Sequence, residues 1–237
     1  DLVNPDSHEN VVAVIGDGSL SGGLAFEGLN NAAKLKSNLI ILVNDNQMSI
    51  DEDQGGLYRG LKELRDTQGQ SANNIFKFMG LDYRYVADGN DLKTMIDVFK
   101  EVKNIDHPIV LHVNTQKGKG YQPAIDNQKE YHWRAPFDLQ TGESKQSAPK
   151  ESYSAAVIDE LNAQVEAGKP VVAINAAIPG MFDLGRFKAA HADRYFDVGI
   201  AEQDSVTTAV AMAAGGARPV LFESSTFLQR AYDQLVH

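Results

Sequence analysis

Two short apolar runs constrain this chain most: Val11-Val-Ala-Val-Ile15 and Leu39-Ile-Ile-Leu-Val43. Each stops abruptly in a polar turn, the first at Gly16-Asp17-Gly18 and the second at Asn44-Asp45-Asn46. A continuous aliphatic run without alternation suits a strand buried on both faces of a parallel sheet. Between them the spacing predicts a helix from about Ser21 to Ala33, with Leu24, Leu29 and Ala32 or Ala33 toward the core. Asp17 and Asn46, 29 positions apart, therefore fall at the C-terminal edge of neighbouring parallel strands, where open α/β sheets bind ligands.

The same alternation continues. Residues 51–70 read as a polar loop with a short helix, 72–79 and 91–103 as helices, and 108–113 as a strand. Residues 117–150 are rich in Gly, Pro, Lys, Gln and Ser, a linker-like composition, although so long a connection in a compact protein is usually functional. A second α/β pattern follows. It has a helix over 153–166, strands at 171–175, 195–198 and 219–222, an Ala-rich helix over 202–214, and a last helical segment from Ser225. The opening strand and the closing helix both look cut, so the sequence reads as an interior slice of a longer protein.

Composition narrows the function classes. The 237 residues carry a formal net charge of −10, which argues against a nucleic-acid surface, since phosphate neutralisation needs clustered Lys and Arg. There is no cysteine, hence no disulfide framework and no thiolate ligand or nucleophile. No apolar run reaches the roughly 18 to 20 residues that span a bilayer.

The paired turns suit a diphosphate held through Mg²⁺. That small, hard ion takes octahedral oxygen ligands, a few from protein and the rest from phosphates and water. Asp17 offers a carboxylate, Asn46 an amide oxygen, and Met48 a backbone carbonyl. Glycines let the backbone approach the phosphates, and the N-terminus of the following helix offers N–H groups. Either motif alone is an ordinary turn. A dinucleotide fingerprint is a rival, but Ser21 stands where its third glycine belongs.

Gly16-Asp-Gly-Ser-Leu-Ser-Gly-Gly-Leu-Ala-Phe-Glu-Gly-Leu-Asn-Asn-Ala32 and Leu42-Val-Asn-Asp-Asn-Gln-Met-Ser-Ile50 resemble the thiamine-diphosphate motif of 1-deoxy-D-xylulose-5-phosphate synthases, transketolase-like enzymes. The resemblance implies Mg²⁺ held by Asp17, Asn46 and the Met48 carbonyl, with Gly18, Ser19 and Asn46 against the cofactor. Lys117-Gly-Lys-Gly-Tyr121 matches a family segment whose Tyr lies by the cofactor.

Tyr195-Phe-Asp-Val-Gly-Ile-Ala-Glu-Gln203 carries the second match. Read from the residues alone, Glu202 is a favourable charge at a helix N-terminus. By the resemblance, Glu202 bonds the aminopyrimidine ring and promotes loss of the thiazolium C2 proton, for which it must be well buried. Ser225-Thr-Phe-Leu-Gln-Arg-Ala-Tyr-Asp-Gln234 is close to the synthases' own sequence; it implies that Phe227 stacks on the pyrimidine and that Arg230 lies near the substrate phosphate. Core packing for Phe227 and a surface ion pair for Arg230 are the plain alternatives. His132 falls where the family has a proton-transferring His. The remaining histidines, His112 among them, show no metal spacing and read as structural or surface.

The resemblance implies an α/β fold of two thiamine-diphosphate-binding domains with mainly parallel sheets flanked by helices, both truncated. Residues 1–130 would be the diphosphate-binding domain, 131–152 a linker and 153–237 the pyrimidine-binding domain. The implied reaction joins pyruvate, after decarboxylation, to glyceraldehyde 3-phosphate, in a cytoplasmic enzyme that is a homodimer at full length. Asp204, Asn90 and Ser224 stand where the family has His, His and Tyr, and the stretch from Ile50 to Phe76 is shorter than usual. They leave two rivals open: a transketolase-like enzyme with a sugar-phosphate donor, and a thiamine-diphosphate-binding module without turnover.

Overall fold

A computed structural model describes residues 9–50, 53–146 and 152–237. The chain divides into two units, Asp1–Gln128 and Lys129–His237. Each is an α/β layer structure with an all-parallel sheet.

The first unit runs β1 (Val11–Gly16), α1 (Asp17–Leu20), α2 (Gly23–Ala32), β2 (Leu39–Asp45), α3 (Gly56–Asp66), α4 (Ile75–Phe78), β3 (Asp82–Val86), α5 (Leu92–Val102), β4 (Ile109–Asn114) and α6 (Gln122–Asp126). Its strand order is β1-β2-β4-β3. β2 lies inside the sheet and sends successive side chains to opposite faces. Ile41 and Val43 pack with Leu29, Leu61, Leu64 and Phe76 on one side, while Ile40 packs with Val98, Val102 and Leu111 on the other. That two-sided burial is why β2 reads as an uninterrupted apolar run. Helix starts follow local chemistry. Asn74 caps α4 by accepting from the Phe76 and Lys77 amides, and Asp91 caps α5 by accepting from the Thr94 amide at 2.8 Å.

Several expectations change here. β1 is an edge strand among the described residues, so Val14 is 69% exposed and the run is not buried on both faces. The first helix begins at Gly23, after a separate turn at Asp17–Leu20, and Leu24 points outward at 70% exposure. The polar stretch holds the 11-residue α3, with Leu61 and Leu64 buried. β3 escapes a reading by apolar runs because its Asp82-Tyr-Arg-Tyr-Val86 alternates polar and aromatic residues.

The second unit contains α7 (Tyr153–Glu166), β5 (Val171–Asn175), α8 (Leu184–Ala190), β6 (Tyr195–Asp197), α9 (Glu202–Ala214), β7 (Arg218–Phe222), α10 (Ser225–Leu228) and α11 (Tyr232–Val236). β5 is central in the order β6-β5-β7. Pro219 lies on β7, an edge strand of this sheet among the described residues, where a missing N–H is tolerated. Ile158, Leu161, Val171, Ala173, Leu184, Phe187 and Phe222 form its core. Phe187 is fully buried, and truncating it to Ala is a loss of about 3–5 kcal/mol by cavity formation. The segment from Ser225 is not one helix with nothing to pack on. It breaks into α10, a 3₁₀ turn (Gln229–Ala231) and α11, and Ala231 is fully buried.

The linker-like stretch also has local order. Phe137 bridges Ser144, and Arg134 donates to the Gly142 carbonyl at 2.7 Å while its guanidinium lies 4.5 Å from the Tyr131 ring centre. Residues 147–151 lie outside the described residues.

Candidate functional site

In the first unit the two polar turns meet as their spacing requires. β1 and β2 are neighbours, with Gly16 opposite Asn44, so Asp17 and Asn46 leave adjacent strand ends. Asp17 is only 2% exposed, and its carboxylate organises both turns. Oδ1 accepts from the Gly18 amide at 3.0 Å, and Oδ2 accepts from the Asn46 amide at 2.9 Å and the Gln47 amide at 2.6 Å. Two successive amides can aim at one oxygen because Gln47 takes φ +69°, a left-handed conformation that a residue with a Cβ adopts at a cost.

Three carboxylates crowd this end of the sheet. Burial, then the charge of Asp53, then Asp45, push the Asp17 carboxyl up to about 7. Burial and the Asp45 charge push Asp53 up to about 6. Asp45 goes the other way: burial opposes its charge, but the hydrogen bond from His112, then the charge and hydrogen bond of Arg65, outweigh it and hold its carboxyl low. Among the described residues, neither oxygen of Asp53 meets a hydrogen-bond donor. The turn offers carboxylate and amide oxygens, the ligands a hard divalent cation takes, and such an ion would offset the crowded negative charge. Asn46 Oδ1 is close by in the same turn, accepting from the Met48 amide at 3.3 Å.

Neighbouring loops are tied to this turn. Thr115, just after β4, donates from Oγ1 to Asn44 Oδ1 at 2.7 Å and from its amide to the Asp45 carbonyl at 2.9 Å. Lys117 donates to the Ser49 carbonyl, bringing the segment Lys117–Tyr121 to the turn after β2. Gly118 makes that segment possible with φ +82°, and an added Cβ would sit 2.7 Å from the Ala124 carbonyl carbon. Tyr121, half-buried, opens α6. Gly18 is buried and its carbonyl accepts from Ser21 Oγ at 3.0 Å and Tyr58 Oη at 3.1 Å, while Ser19 is exposed. A polar cavity of about 460 Å³ opens beside the turn, lined among others by Asn46, Met48, Asp88, Asn90, Thr115 and Lys119.

In the second unit Glu202 opens α9 and is buried, as a group that is to act away from water must be. The structure brings Arg230 to it: Nη1 donates to Glu202 Oε2 at 2.8 Å. Phe227 stands 40% exposed on α10, so its ring is not core packing. His132 is exposed on a turn of the same unit. Glu223, at the end of β7, was not singled out by its sequence context. Burial, then the charges of Glu202 and Asp197, push its carboxyl up to about 7, against an amide bond from Ser224 that pulls it down.

Sequence reasoning gave no partners for His112, read only as structural or surface, and none for Asp45, Arg65 and Tyr83; the four form one hydrogen-bonded chain, fully buried at Asp45 and His112. A signal existed for His112: a lone imidazole inside the apolar run Ile109–Val113 must find polar partners.

The pattern of the family described as 1-deoxy-D-xylulose-5-phosphate synthase matches residues 3–73 and 67–115. The pattern of the transketolase pyrimidine binding domain matches residues 150–237. The 1-deoxy-D-xylulose-5-phosphate synthase of Clostridium beijerinckii is 41% identical, over 96% of this chain and 42% of that protein. Synthase 1 of Geobacter sulfurreducens is 40% identical over 96% and 41%, and the synthase of Gloeobacter violaceus 39% over 97% and 43%. The chain thus spans less than half the length of these relatives. Among solved structures, a transketolase variant from Pichia stipitis aligns with 99% of this chain and 46% of its own, at 16% identity and a TM-score of 0.40.

Proposed function

The chain belongs to the 1-deoxy-D-xylulose-5-phosphate synthase family, and from that premise we propose that it serves a thiamine-diphosphate-dependent transferase. The reaction condenses pyruvate, with loss of CO₂, and D-glyceraldehyde 3-phosphate to 1-deoxy-D-xylulose 5-phosphate. The observation that carries the reading is the meeting of Asp17 and Asn46 at adjacent strand ends beside three crowded carboxylates.

Residues 1–130 act as the diphosphate-binding domain and 153–237 as the pyrimidine-binding domain, joined by a linker over 131–152. Asp17, Asn46 and the Met48 carbonyl hold Mg²⁺, and Gly18, Ser19 and Tyr121 lie against the cofactor. When bound, thiamine diphosphate supplies a carbanion and electron sink at its thiazolium ring. Glu202, buried and with Oε1 free of the Arg230 bond, accepts a hydrogen bond from the aminopyrimidine ring and favours the tautomer that takes a proton. Phe227 stacks on that ring. His132 moves protons at the substrate hydroxyl, and Arg230 binds the acceptor's phosphate as a forked donor. The protein works as a cytoplasmic homodimer on these small molecules. No described helix is long and apolar enough to cross a membrane.

The test is CO₂ release from pyruvate by the natural full-length protein, with Mg²⁺ and thiamine diphosphate, with and without glyceraldehyde 3-phosphate. Release that the aldehyde stimulates, and that Glu202→Ala lowers by about 10²-fold or more, is the expected result. Tight cofactor binding with no release from pyruvate overturns the synthase reading and leaves a sugar-donor enzyme or a binding module.

A further inference from the structure

The Asp45 carboxylate is fully buried, and three donors converge on it. Arg65 and His112 Nε2, the latter at 2.7 Å, reach Oδ2, and the Gln47 amide reaches Oδ1 at 3.1 Å. A carboxylate only accepts, so Nε2 of His112 carries a hydrogen, and in the neutral ring Nδ1 then accepts from Tyr83 Oη at 2.8 Å. The phenol is fixed in turn by stacking on Phe76, with ring centres 5.7 Å apart. The Gln47 amide is shared: it also lies 2.6 Å from Asp17 Oδ2. The bonds thus run from Tyr83 on β3 through His112 on β4 and Asp45 at the end of β2 to Asp17 beyond β1, crossing the whole sheet from edge to edge.

Stability alone does not explain this chain. A buried polar network is at best even with well-packed aliphatic side chains, and His112 interrupts an otherwise apolar strand. What the network does that Leu or Val at 112 could not is pull on a particular backbone amide. Gln47 sits at φ +69°, and the two acceptors on its N–H, Asp45 Oδ1 and Asp17 Oδ2, hold it there. That conformation sets where Asn46 and the Met48 carbonyl stand relative to the Asp17 carboxylate.

Building on the metal-dependent reading above, we infer that Tyr83 and His112 are positioning residues of the cation site, acting through Asp45 and the Gln47 amide to hold Asp17, Asn46 and Met48 in ligating geometry. Partners one shell out from metal ligands typically tune affinity by roughly 10–100-fold. They touch neither the cation nor the cofactor.

The experiment is a Mg²⁺ titration of thiamine diphosphate binding to the natural full-length protein by calorimetry, with no turnover involved. Mn²⁺ bound with the cofactor and read by paramagnetic resonance serves as the probe of ligand geometry. His112→Leu is expected to raise the Mg²⁺ midpoint by roughly 10-fold or more, and Tyr83→Phe by a few-fold. His112→Gln, which keeps a donor toward Asp45, recovers most of the loss. Val98→Ala, in the core on the α5 side, lowers Tm and leaves the midpoint unmoved. Wild-type midpoints in both His112→Leu and Tyr83→Phe, whatever their Tm, overturn the inference. If His112→Leu does not fold, Tyr83→Phe decides alone by the same criterion. A wild-type protein that binds no Mg²⁺ with thiamine diphosphate overturns the functional reading itself, and that outcome is visible in the reference curve before any variant is compared.

Discussion

Arg230 donates from Nη1 to Oε2 of Glu202 across 2.8 Å, joining the first residue of α9 to a 3₁₀ turn 28 positions downstream. The carboxylate is nearly closed off, with the Glu202 side chain 7% exposed, while the Arg230 side chain is 32% exposed. Breaking such a pair from the Arg side strands a buried charge, whereas neutralising the acid leaves a cation that water can reach. Arg230→Met should therefore cost about 1–2 kcal/mol, below the several kcal/mol of a fully buried pair because Arg230 is partly solvated. Glu202→Gln should cost less. Urea denaturation of the two variants checks the order, and a reversed order would mean that the α9 N-terminus, not Arg230, holds the carboxylate.

Glu223 gives this same end of the second unit a pH dependence. Its carboxyl is raised from 4.5 to about 7, by burial first and then by the charges of Glu202 and Asp197. Between those two values the folded state holds a proton that the unfolded state has released, so stability falls as pH rises through this window. Glu223→Gln keeps the shape and removes the titration. It should match the wild type near pH 4.5 and gain on it by about 1 kcal/mol above pH 7, a figure reduced for the partial exposure of the group. Melting curves at pH 5 and pH 8 read the difference; an equal gap at both would exclude Glu223 as the source.

The sequence made Asp17 and Asn46 legible because β1 and β2 are consecutive, parallel and adjacent, so chain spacing maps directly onto space. Glu202 was legible only through its surrounding motif, since a carboxylate at a helix start has an ordinary explanation. The network behind the Asn44–Met48 turn was not readable. Asp45 and His112 are 67 positions apart and Tyr83 and His112 are 29 apart, and only the strand order β2-β4-β3 brings them together. Glu223 stayed hidden for the same reason, because its neighbours Glu202 and Asp197 belong to other elements. Local pattern was weak where polar residues supply the framework: the short helix expected within 51–70 is the 11-residue α3, with Leu61 and Leu64 buried on one face, and β3 hid its tyrosines on either side of Arg84. The apolar run of β1 misled in the other direction, since composition cannot say whether a strand has a neighbour on each side.

The Lys117–Tyr121 segment offers a test of backbone geometry. Gly118 and Gly120 both have positive φ, +82° and +97°, but only Gly118 is enclosed, with an added Cβ 2.7 Å from the Ala124 backbone. Gly120→Ala should cost the left-handed strain alone, about 1–2 kcal/mol. Gly118→Ala adds overpacking against backbone, a further ~1–3 kcal/mol. The second change should also free Lys117 from the Ser49 carbonyl and so weaken binding of Mg²⁺ and thiamine diphosphate. Thermal melts and a cofactor titration on both variants separate strain from crowding; equal costs would mean that the segment shifts to make room.

Asp17 should set stability and binding against each other. It shares the end of the first sheet with Asp45 and Asp53, and without a cation their mutual repulsion and burial oppose its charge. Asp17→Asn keeps one acceptor oxygen, enough for the Asn46 and Gln47 amides or for the Gly18 amide but not for all three, and removes one of three clustered carboxylates. The metal-free variant should therefore be as stable as the wild type or more so, although the Asn amide must turn one NH₂ toward the Gly18 or Gln47 donor. Ligand binding stabilises the wild type by mass action, about 2.7 kcal/mol at a hundredfold excess over Kd. In Asp17→Asn that gain should vanish, because the charged oxygen on the cation is lost. Melting each protein with and without Mg²⁺ and thiamine diphosphate gives four Tm values. Equal ligand-induced shifts in the two proteins would place the cation elsewhere and remove Asp17 from its ligands.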